Sequence, residues 1–404
     1  MSRNKFILFI LVLLLILGGL GWYFFFRTSS SATPSGDTTQ NDDLFPFGDS
    51  TGTQTPGKTG GSGSSTIDLS GGQSGQAALP RLRKLSSDKV SGAVIAGKGD
   101  ASIIRYMDRA TGHVFELRST EMAQKKVSNV TLPQIQETLW SSDGRKLIAR
   151  YLKDGSTIQS FYGTISTTTT SSGMEGYFLA ANIREISVFG DRSAYLDPSS
   201  AGGIIISNID GTKKALVANL YTSDLSLSWT SPGKILANAK PSGLVYGYSY
   251  IIDTSTGKTS KILSDVFGLS ALSNMDGSYV LASAGGDSIT SAIYSVPEDA
   301  LSLLSLNTLS DKCVWSKKSK TTVYCAVPQS ISRGTYPDDW YRGAVSFSDN
   351  LWKIDAASME TDLILNPSFE GGGDMDMTRL DIDGNDEHLI FLDKNDLSLW
   401  ELDL

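Results

Sequence analysis

One stretch decides the fold, LWSSDGRKLIA at residues 139–149. Related stretches return as WTSPGKILA at 229–237 and as LSNMDGSYVLA at 272–282. Each copy reads as a strand, a tight polar turn and a second strand, because Asp-Gly and Pro-Gly supply the positive φ that a hairpin turn needs. A recurrence of about 40 to 50 residues, with four short strands in each period, is typical of the blades of a β-propeller.

The number of copies predicts the number of blades. Weaker copies are FGDRSAYL at 189–196, WSKKSKTTVY at 315–324, LSSDKVSGAVI at 85–95 and LDIDGNDEHLIF at 380–391. They predict an all-β fold over residues 79–404, a propeller of about seven blades, with six and eight as alternatives. The last copy ends one strand short, at Leu404. We predict that residues 78–85 supply that strand, because closing the ring removes exposed sheet edges.

These repeats resemble those of TolB-type and WD-like propellers, whose blades carry a Trp-Ser-Pro-Asp-Gly-Lys-like phrase. The resemblance covers residues 79–404 and concerns the fold, so it implies a propeller and no particular activity. Neither a Trp-Asp dipeptide nor a Gly-His signature recurs along the chain. The resemblance therefore does not imply the partners of WD-repeat proteins.

The N-terminal segment predicts attachment to a membrane. Residues 6–26 carry no charge and, at about 1.5 Å per residue, would span about 32 Å as a helix, which matches a bilayer core. Arg3 and Lys5 precede them, so residues 1–5 should lie in the cytoplasm. A cleaved signal peptide is the alternative, but the apolar run is longer than usual and no Ala-x-Ala site follows it.

The residues after the apolar run predict a tether. Residues 27–78 are rich in Ser, Thr and Gly, and such a composition cannot bury a core. We therefore expect a disordered, flexible linker between a transmembrane signal-anchor helix and the propeller. The prediction is a single-pass plasma-membrane protein whose propeller lies outside the cytoplasm.

Composition excludes several classes of function. The net charge of −8 disfavours nucleic-acid binding, and two histidines argue against a His-rich metal site. Acidic residues between 374 and 387 raise the alternative of calcium, but Gly384 follows Asp381 by three residues, which does not fit an EF-hand loop. We predict no metal site, no cofactor and no catalytic set.

The two cysteines, Cys313 and Cys325, lie on the arms of one predicted hairpin. A turn near Ser319 would place them opposite each other, within the Cα separation that a disulfide requires. Because an exported compartment permits oxidation, we predict a disulfide. Two buried thiols that pack as small apolar groups are the alternative.

Residues 329–350 form the least blade-like part of the repeats. By strand order they join the second and third strands of their blade, on the face that also carries the blade-to-blade connections. Aromatic rings beside carboxylates and a guanidinium suit recognition of carbohydrate or peptide, by stacking and charge-assisted hydrogen bonds. The alternative is an ordered loop whose Trp340 and Tyr341 cap the blade. The candidate binding residues are Tyr336, Asp338, Asp339, Trp340, Tyr341 and Arg342.

The sequence favours a binding function. We predict a membrane-anchored propeller that acts as a protein-interaction or ligand-binding module of the cell envelope, with an unidentified envelope protein or glycan as partner. The rival prediction is a carbohydrate-active hydrolase or lyase that uses carboxylates at the channel mouth. Convergent Asp, Glu, Tyr or Arg side chains in the channel would favour the enzyme. The sequence predicts no oligomeric state.

Overall fold

The computed structural model describes residues 79–167 and 172–404. No helix within these two ranges has the length and apolar content needed to cross a membrane. The predicted transmembrane segment, residues 6–26, and the predicted linker, residues 27–78, lie outside the described residues. Residues 79–404 belong to one compact unit.

The described residues form seven four-stranded antiparallel sheets, which confirms the predicted number of blades. In six of them, four consecutive strands pair in chain order, so each blade is an up-and-down meander. The first strands of neighbouring blades contact one another and surround the centre of the ring.

Blades 1 to 4 comprise sixteen strands. Blade 1 comprises β2 (Val90–Ala96), β3 (Ile103–Asp108), β4 (Val114–Arg118) and β5 (Lys125–Lys126), and blade 2 comprises β6 (Glu137–Trp140), β7 (Lys146–Lys153), β8 (Thr157–Thr167) and β9 (Ser172–Phe178). Blade 3 comprises β10 (Ile186–Phe189), β11 (Arg192–Leu196), β12 (Gly203–Asn208) and β13 (Ala215–Asn219), and blade 4 comprises β14 (Leu225–Ser231), β15 (Lys234–Ala239), β16 (Tyr246–Asp253) and β17 (Thr259–Phe267).

Blades 5 to 7 comprise the remaining strands and a one-turn helix. Blade 5 comprises β18 (Ser270–Ser273), β19 (Tyr279–Ala284), β20 (Thr290–Ser295) and β21 (Ala300–Leu303). Blade 6 comprises β22 (Cys313–Trp315), β23 (Thr322–Pro328), α1 (Asp338–Tyr341), β24 (Asp349–Asp355) and β25 (Thr361–Leu365). Blade 7 comprises β26 (Met377–Ile382), β27 (His388–Asp393), β28 (Leu399–Asp403) and β1 (Leu82–Ser86). Short 3₁₀ turns occur at Gly99–Ala101, Ser310–Lys312 and Pro367–Phe369.

The ring closes as predicted, because β1 is the outer strand of blade 7 and pairs with β28. A buried ion pair joins the first and last strands of the propeller across this ladder. Arg83 Nη2 lies 2.6 Å from Glu401 Oε2, and the two side chains are 3% and 0% exposed. Closure therefore covers both the edge of β28 and a charged pair that has no access to water.

The repeated phrase corresponds to the first and second strands of each blade and the turn between them, as in β6 and β7. One copy is placed differently. Residues 85–95 contain the end of β1, a blade-to-blade step and β2, and the true hairpin of blade 1 is β2 with β3. The copy was misread because Ser-Ser-Asp-Lys supplies turn chemistry both within blades and between them.

The predicted hairpin of blade 6 and its disulfide are confirmed. Cys313 on β22 pairs directly with Cys325 on β23, and a disulfide joins them with a Cα separation of 4.1 Å. Both side chains are buried in the core of blade 6 beside Trp315 and Val323.

Two faces of the ring differ in their connections. We call the upper face the one that carries the blade-to-blade connections and the links between second and third strands. The lower face carries the turns between first and second strands and between third and fourth strands. The first strands run from the upper to the lower face, so residues just before them lie at the upper mouth of the central channel.

Candidate functional site

The long insertion of blade 6, residues 329–348 between β23 and β24, extends across blade 5 to blade 4. Tyr336 exchanges backbone hydrogen bonds with Gly286 of blade 5, at 2.9 and 2.8 Å. Asp338 Oδ2 accepts a hydrogen bond of 2.7 Å from the amide of Gly243 in blade 4. The insertion is thus a fixed strap over three blades.

The rings of the insertion form a small core of their own. Tyr336 is 0% exposed and Trp340 is 3% exposed, and both pack with Phe347, Ile289 and Leu309. Neither ring is accessible to a ligand in this conformation, so the stacking predicted for them has no exposed surface. Both rings instead hold the strap together.

Beneath the strap lies a buried charged cluster. The ammonium group of Lys312 is fully buried, lies 2.8 Å from Asp349 Oδ2, and also pairs with Asp376. Trp340 Nε1 donates to Asp376 Oδ2 at 2.9 Å, and its ring lies 5.0 Å from Lys312 Nζ. Burial raises the pKa of Asp349 to about 6, although the nearby Lys312 opposes the shift.

The other predicted residues have different positions. Asp339 accepts from the amide of Thr335 at 2.7 Å and forms an exposed ion pair of 2.6 Å with Arg342, so both act within the strap. Tyr341 is 42% exposed, and its hydroxyl donates to Asp311 Oδ2 at 3.1 Å. Of the six predicted residues, Tyr341 is the one that the structure brings to the mouth of the channel.

Tyr341 forms one wall of a pocket at this upper mouth, with a volume of about 440 Å³. Three charged side chains line it, Glu185 from blade 3, Lys240 from blade 4 and Asp311 from blade 6. Hydroxyl and amide groups complete the polar wall, from Ser226, Ser228, Asn238, Ser270 and Ser310. Four blades and the strap therefore contribute polar groups to one cavity.

The two carboxyl groups of this pocket have altered acidities. Burial raises the pKa of Glu185, and Lys240 opposes that effect. Asp311 is exposed on the pocket wall, and desolvation raises its pKa although the hydrogen bond from Tyr341 opposes the shift. Desolvation and the nearby Asp311 likewise raise the pKa of Tyr341.

A third acid at the mouth, unlike Glu185 and Asp311, has basic side chains as partners. Glu137 of blade 2 is paired with Arg150, and Arg379 of blade 7 lies 3.8 Å from its other oxygen. Among the described residues, no basic side chain lies within 4 Å of Glu185 or Asp311. The side formed by blades 3 to 6 therefore has unpaired negative charge, to which a cationic or hydroxyl-bearing group is complementary.

Comparison of the fold with known structures identifies its architecture. The β-propeller domain of Cps50 (Swd1) from Myceliophteria thermophila has a TM-score of 0.50 and 12% identity, covering 80% of this chain and 99% of that one. The resemblance to TolB-type and WD-like propellers is confirmed at the level of the fold.

Two further structures are similar. TolB from Acinetobacter baumannii has a TM-score of 0.41 and 12% identity, covering 67% of this chain and 62% of that one. An oligogalacturonate lyase in complex with manganese has a TM-score of 0.49 and 8% identity, covering 81% and 94%. No protein-family model and no curated protein sequence matches the chain.

Sequence reasoning missed Glu185, Lys240 and Asp311. A signal for Glu185 and Asp311 was present in the repeats. Both acids fall just before the first strand of their blades, and Glu137 falls at the start of the first strand of blade 2. Aligning the repeats by that strand would have gathered these acids at one mouth. Lys240 follows the second strand of blade 4 and carries no comparable signal.

Proposed function

We propose that this protein is a binding module of the cell envelope, held at the plasma membrane by residues 6–26, and that its channel-mouth pocket receives a basic side chain of a partner protein. The observation that carries the proposal is the convergence of Glu185 and Asp311 in a pocket with only Lys240 to offset them. A Lys or Arg side chain would restore charge balance there and would lower the pKa values that burial raises.

The strap supports this proposal by making the pocket rigid. Tyr341 is fixed by the docking of Tyr336 and Asp338 on blades 5 and 4, so its hydroxyl and Asp311 are held in place before a ligand arrives. A preformed site loses less conformational entropy on binding than a flexible one. The location outside the cytoplasm rests on Arg3, Lys5 and the apolar run.

The experiment places a photo-crosslinking amino acid at Leu244, an exposed position on the upper face near the strap. Crosslinked species from the native envelope are compared for the parent chain and for the Glu185→Gln, Asp311→Asn double variant. Loss of at least tenfold of the specific adduct is expected. A control, Glu360→Gln, removes an exposed carboxylate on the lower face and should keep the adduct. An adduct that survives the double variant contradicts this site.

A carbohydrate-active enzyme is the second candidate, and one observation favours it. Burial raises the pKa values of two carboxyl groups that share the pocket with a tyrosine, and a raised pKa is the property that a general acid needs. Release of reducing ends from envelope polysaccharide by the parent chain, abolished in Glu185→Gln with binding retained, would establish the enzyme in place of the binding module.

A further inference from the structure

Three side chains that bind metals in other proteins share one face of blade 7, at its lower edge. His388 begins β27 and pairs directly with Asp403 on β28. Glu401 lies two residues before Asp403 on the same strand. Because alternate residues of a strand face the same side, all three side chains lie on one face of the sheet.

The distances within this trio suit one small cation. His388 Nδ1 lies 2.8 Å from Asp403 Oδ1 and 3.4 Å from Glu401 Oε1. All three ligand atoms lie within 4.8 Å of one another. Bonds of about 2.0–2.2 Å to a tetrahedral ion place ligand atoms about 3.3–3.6 Å apart. The separation of 3.4 Å between His388 and Glu401 falls in that range, and the His388–Asp403 separation of 2.8 Å is shorter.

The burial of Glu401 supplies a second, independent observation. Its side chain is 0% exposed, and Arg83 donates two hydrogen bonds to Oε2, of 2.9 and 2.6 Å. Among the described residues, Oε1 makes no hydrogen bond of normal geometry, and the hydroxyl of Ser119, which is near enough to lower the pKa of Glu401, is likewise unpaired. His388 Nδ1 lies closer to Asp403 Oδ1 than to this oxygen, so a proton on Nδ1 would be donated to Asp403. Buried polar atoms are rarely left unpartnered.

We propose that His388, Glu401 and Asp403 bind one divalent cation of the borderline class, with Zn²⁺ as its representative. One imidazole nitrogen with two carboxylate oxygens suits zinc, whereas calcium and magnesium prefer oxygen ligands throughout. Arg83 neutralises the Glu401 carboxylate, so the Asp403 carboxylate leaves one negative charge beside the imidazole, which attracts a cation. The ion satisfies Glu401 Oε1 and His388 Nδ1 together.

The site is open to solvent at the lower face and lies between two strands of blade 7. Asp403 is 46% exposed, so an ion can enter from the lower face and keep a water as its fourth ligand. The ion would join the second and third strands of the blade that closes the ring. This site is on the opposite face from the channel-mouth pocket and does not depend on the function proposed for that pocket.

The test measures zinc uptake by the full chain after removal of metals with a chelator. Equilibrium dialysis against Zn²⁺ should give one ion per parent chain. Asp403→Asn and His388→Gln should weaken that binding at least tenfold, because each removes a ligand. Asp403 is the safer position, since its side chain is half exposed, and circular dichroism checks that the variant is folded.

Two matched controls accompany the ligand variants. His113→Gln removes the other histidine of the chain, and Asp362→Asn removes an exposed carboxylate on β25; both should bind one zinc ion as the parent does. Zinc should also raise the melting temperature of the parent and not that of Asp403→Asn. Less than a tenth of an equivalent of zinc on the parent chain, or unchanged uptake by folded Asp403→Asn, overturns the proposal.

Discussion

At the scale of single residues, the buried cluster under the strap shows how context alters an ordinary surface side chain. Lys312 is fully buried between two carboxylates, and Asp349 Oδ1 has no hydrogen-bond partner among the described residues. Among the described residues, Lys312 is the one basic side chain within 4 Å of either acid, and it cannot neutralise both of them. This excess charge explains why desolvation prevails over Lys312 and raises the pKa of Asp349 to about 6.

This pKa predicts how stability depends on pH. Because the folded pKa of Asp349 is above its unfolded value, its stabilising contribution is complete below about pH 4 and is lost as the pH rises through about 6. Asp349→Asn resembles the protonated acid and does not titrate. The free energy of unfolding of this variant, relative to that of the parent, should therefore increase as the pH is raised from 4.5 to 7.5. The difference between the folded pKa of Asp349, about 6, and its ordinary value limits this change in the free energy of unfolding to about 3 kcal/mol.

Urea unfolding of both proteins at the two pH values measures that gain. Taking the difference between parent and variant cancels the other carboxylates that titrate in this range. Asp362→Asn, at an exposed position on β25, controls for the loss of one surface charge. A difference between Asp349→Asn and the parent that does not change with pH would contradict the assignment.

At the scale of structural elements, the strap depends on glycine in the blades beneath it. The carbonyl group of Tyr336 lies over Gly243, Gly268 and Gly285, and a Cβ atom at any of these positions would meet it. Blades 4 and 5 and the connection between them thus leave space for one backbone segment. A propeller blade needs only a short turn between its second and third strands, so the long insertion is stabilised by contacts with its neighbours.

We predict that Gly285→Ala destabilises the fold by about 1–3 kcal/mol, because the added methyl group forces the strap away from blade 5. Urea unfolding followed by tryptophan fluorescence measures the change, with Trp340 reporting on the strap. Gly233→Ala is the matched control, since nothing lies within 4 Å of a Cβ atom at that position. Equal stability of the two variants would show that the strap does not need this contact.

At the scale of the whole molecule, the ring is held shut by contacts between residues that are far apart in the chain. Arg83 and Glu401 are buried in the ladder that joins β1 to β28. Neighbouring Arg81 forms a comparable but exposed ion pair of 2.6 Å with Glu370. The two arginines therefore allow a comparison of a buried and an exposed pair at the same closure.

Arg83→Ala should cost about 3–5 kcal/mol, because it leaves the Glu401 carboxylate buried without its partner. Arg81→Ala should cost less than about 1 kcal/mol, because water screens the pair that it removes. Chemical denaturation of both variants measures the difference. Similar losses in the two would mean that the buried pair does not stabilise closure.

The sequence by itself determined the repeat, the seven blades, the closing strand and the disulfide. The strands and turns of each blade depend on turn residues and strand alternation, which act over a few residues and are visible in a single copy. The number of copies predicted about seven blades, and the incomplete last copy predicted the closing strand. The first copy was misplaced, since blade-to-blade steps and hairpin turns use the same residue types.

Only the tertiary structure decided which residues form the candidate sites. Trp340 and Tyr341 are adjacent in the chain, yet one is buried on Lys312 and the other faces the channel. Glu185 and Asp311 line one pocket because ring closure brings blades 3 and 6 to the same mouth. His388 and Glu401 lie 3.4 Å apart because their strands pair. Local sequence cannot encode such encounters, because the burial and charge of each side chain are set by the neighbours that the completed ring provides.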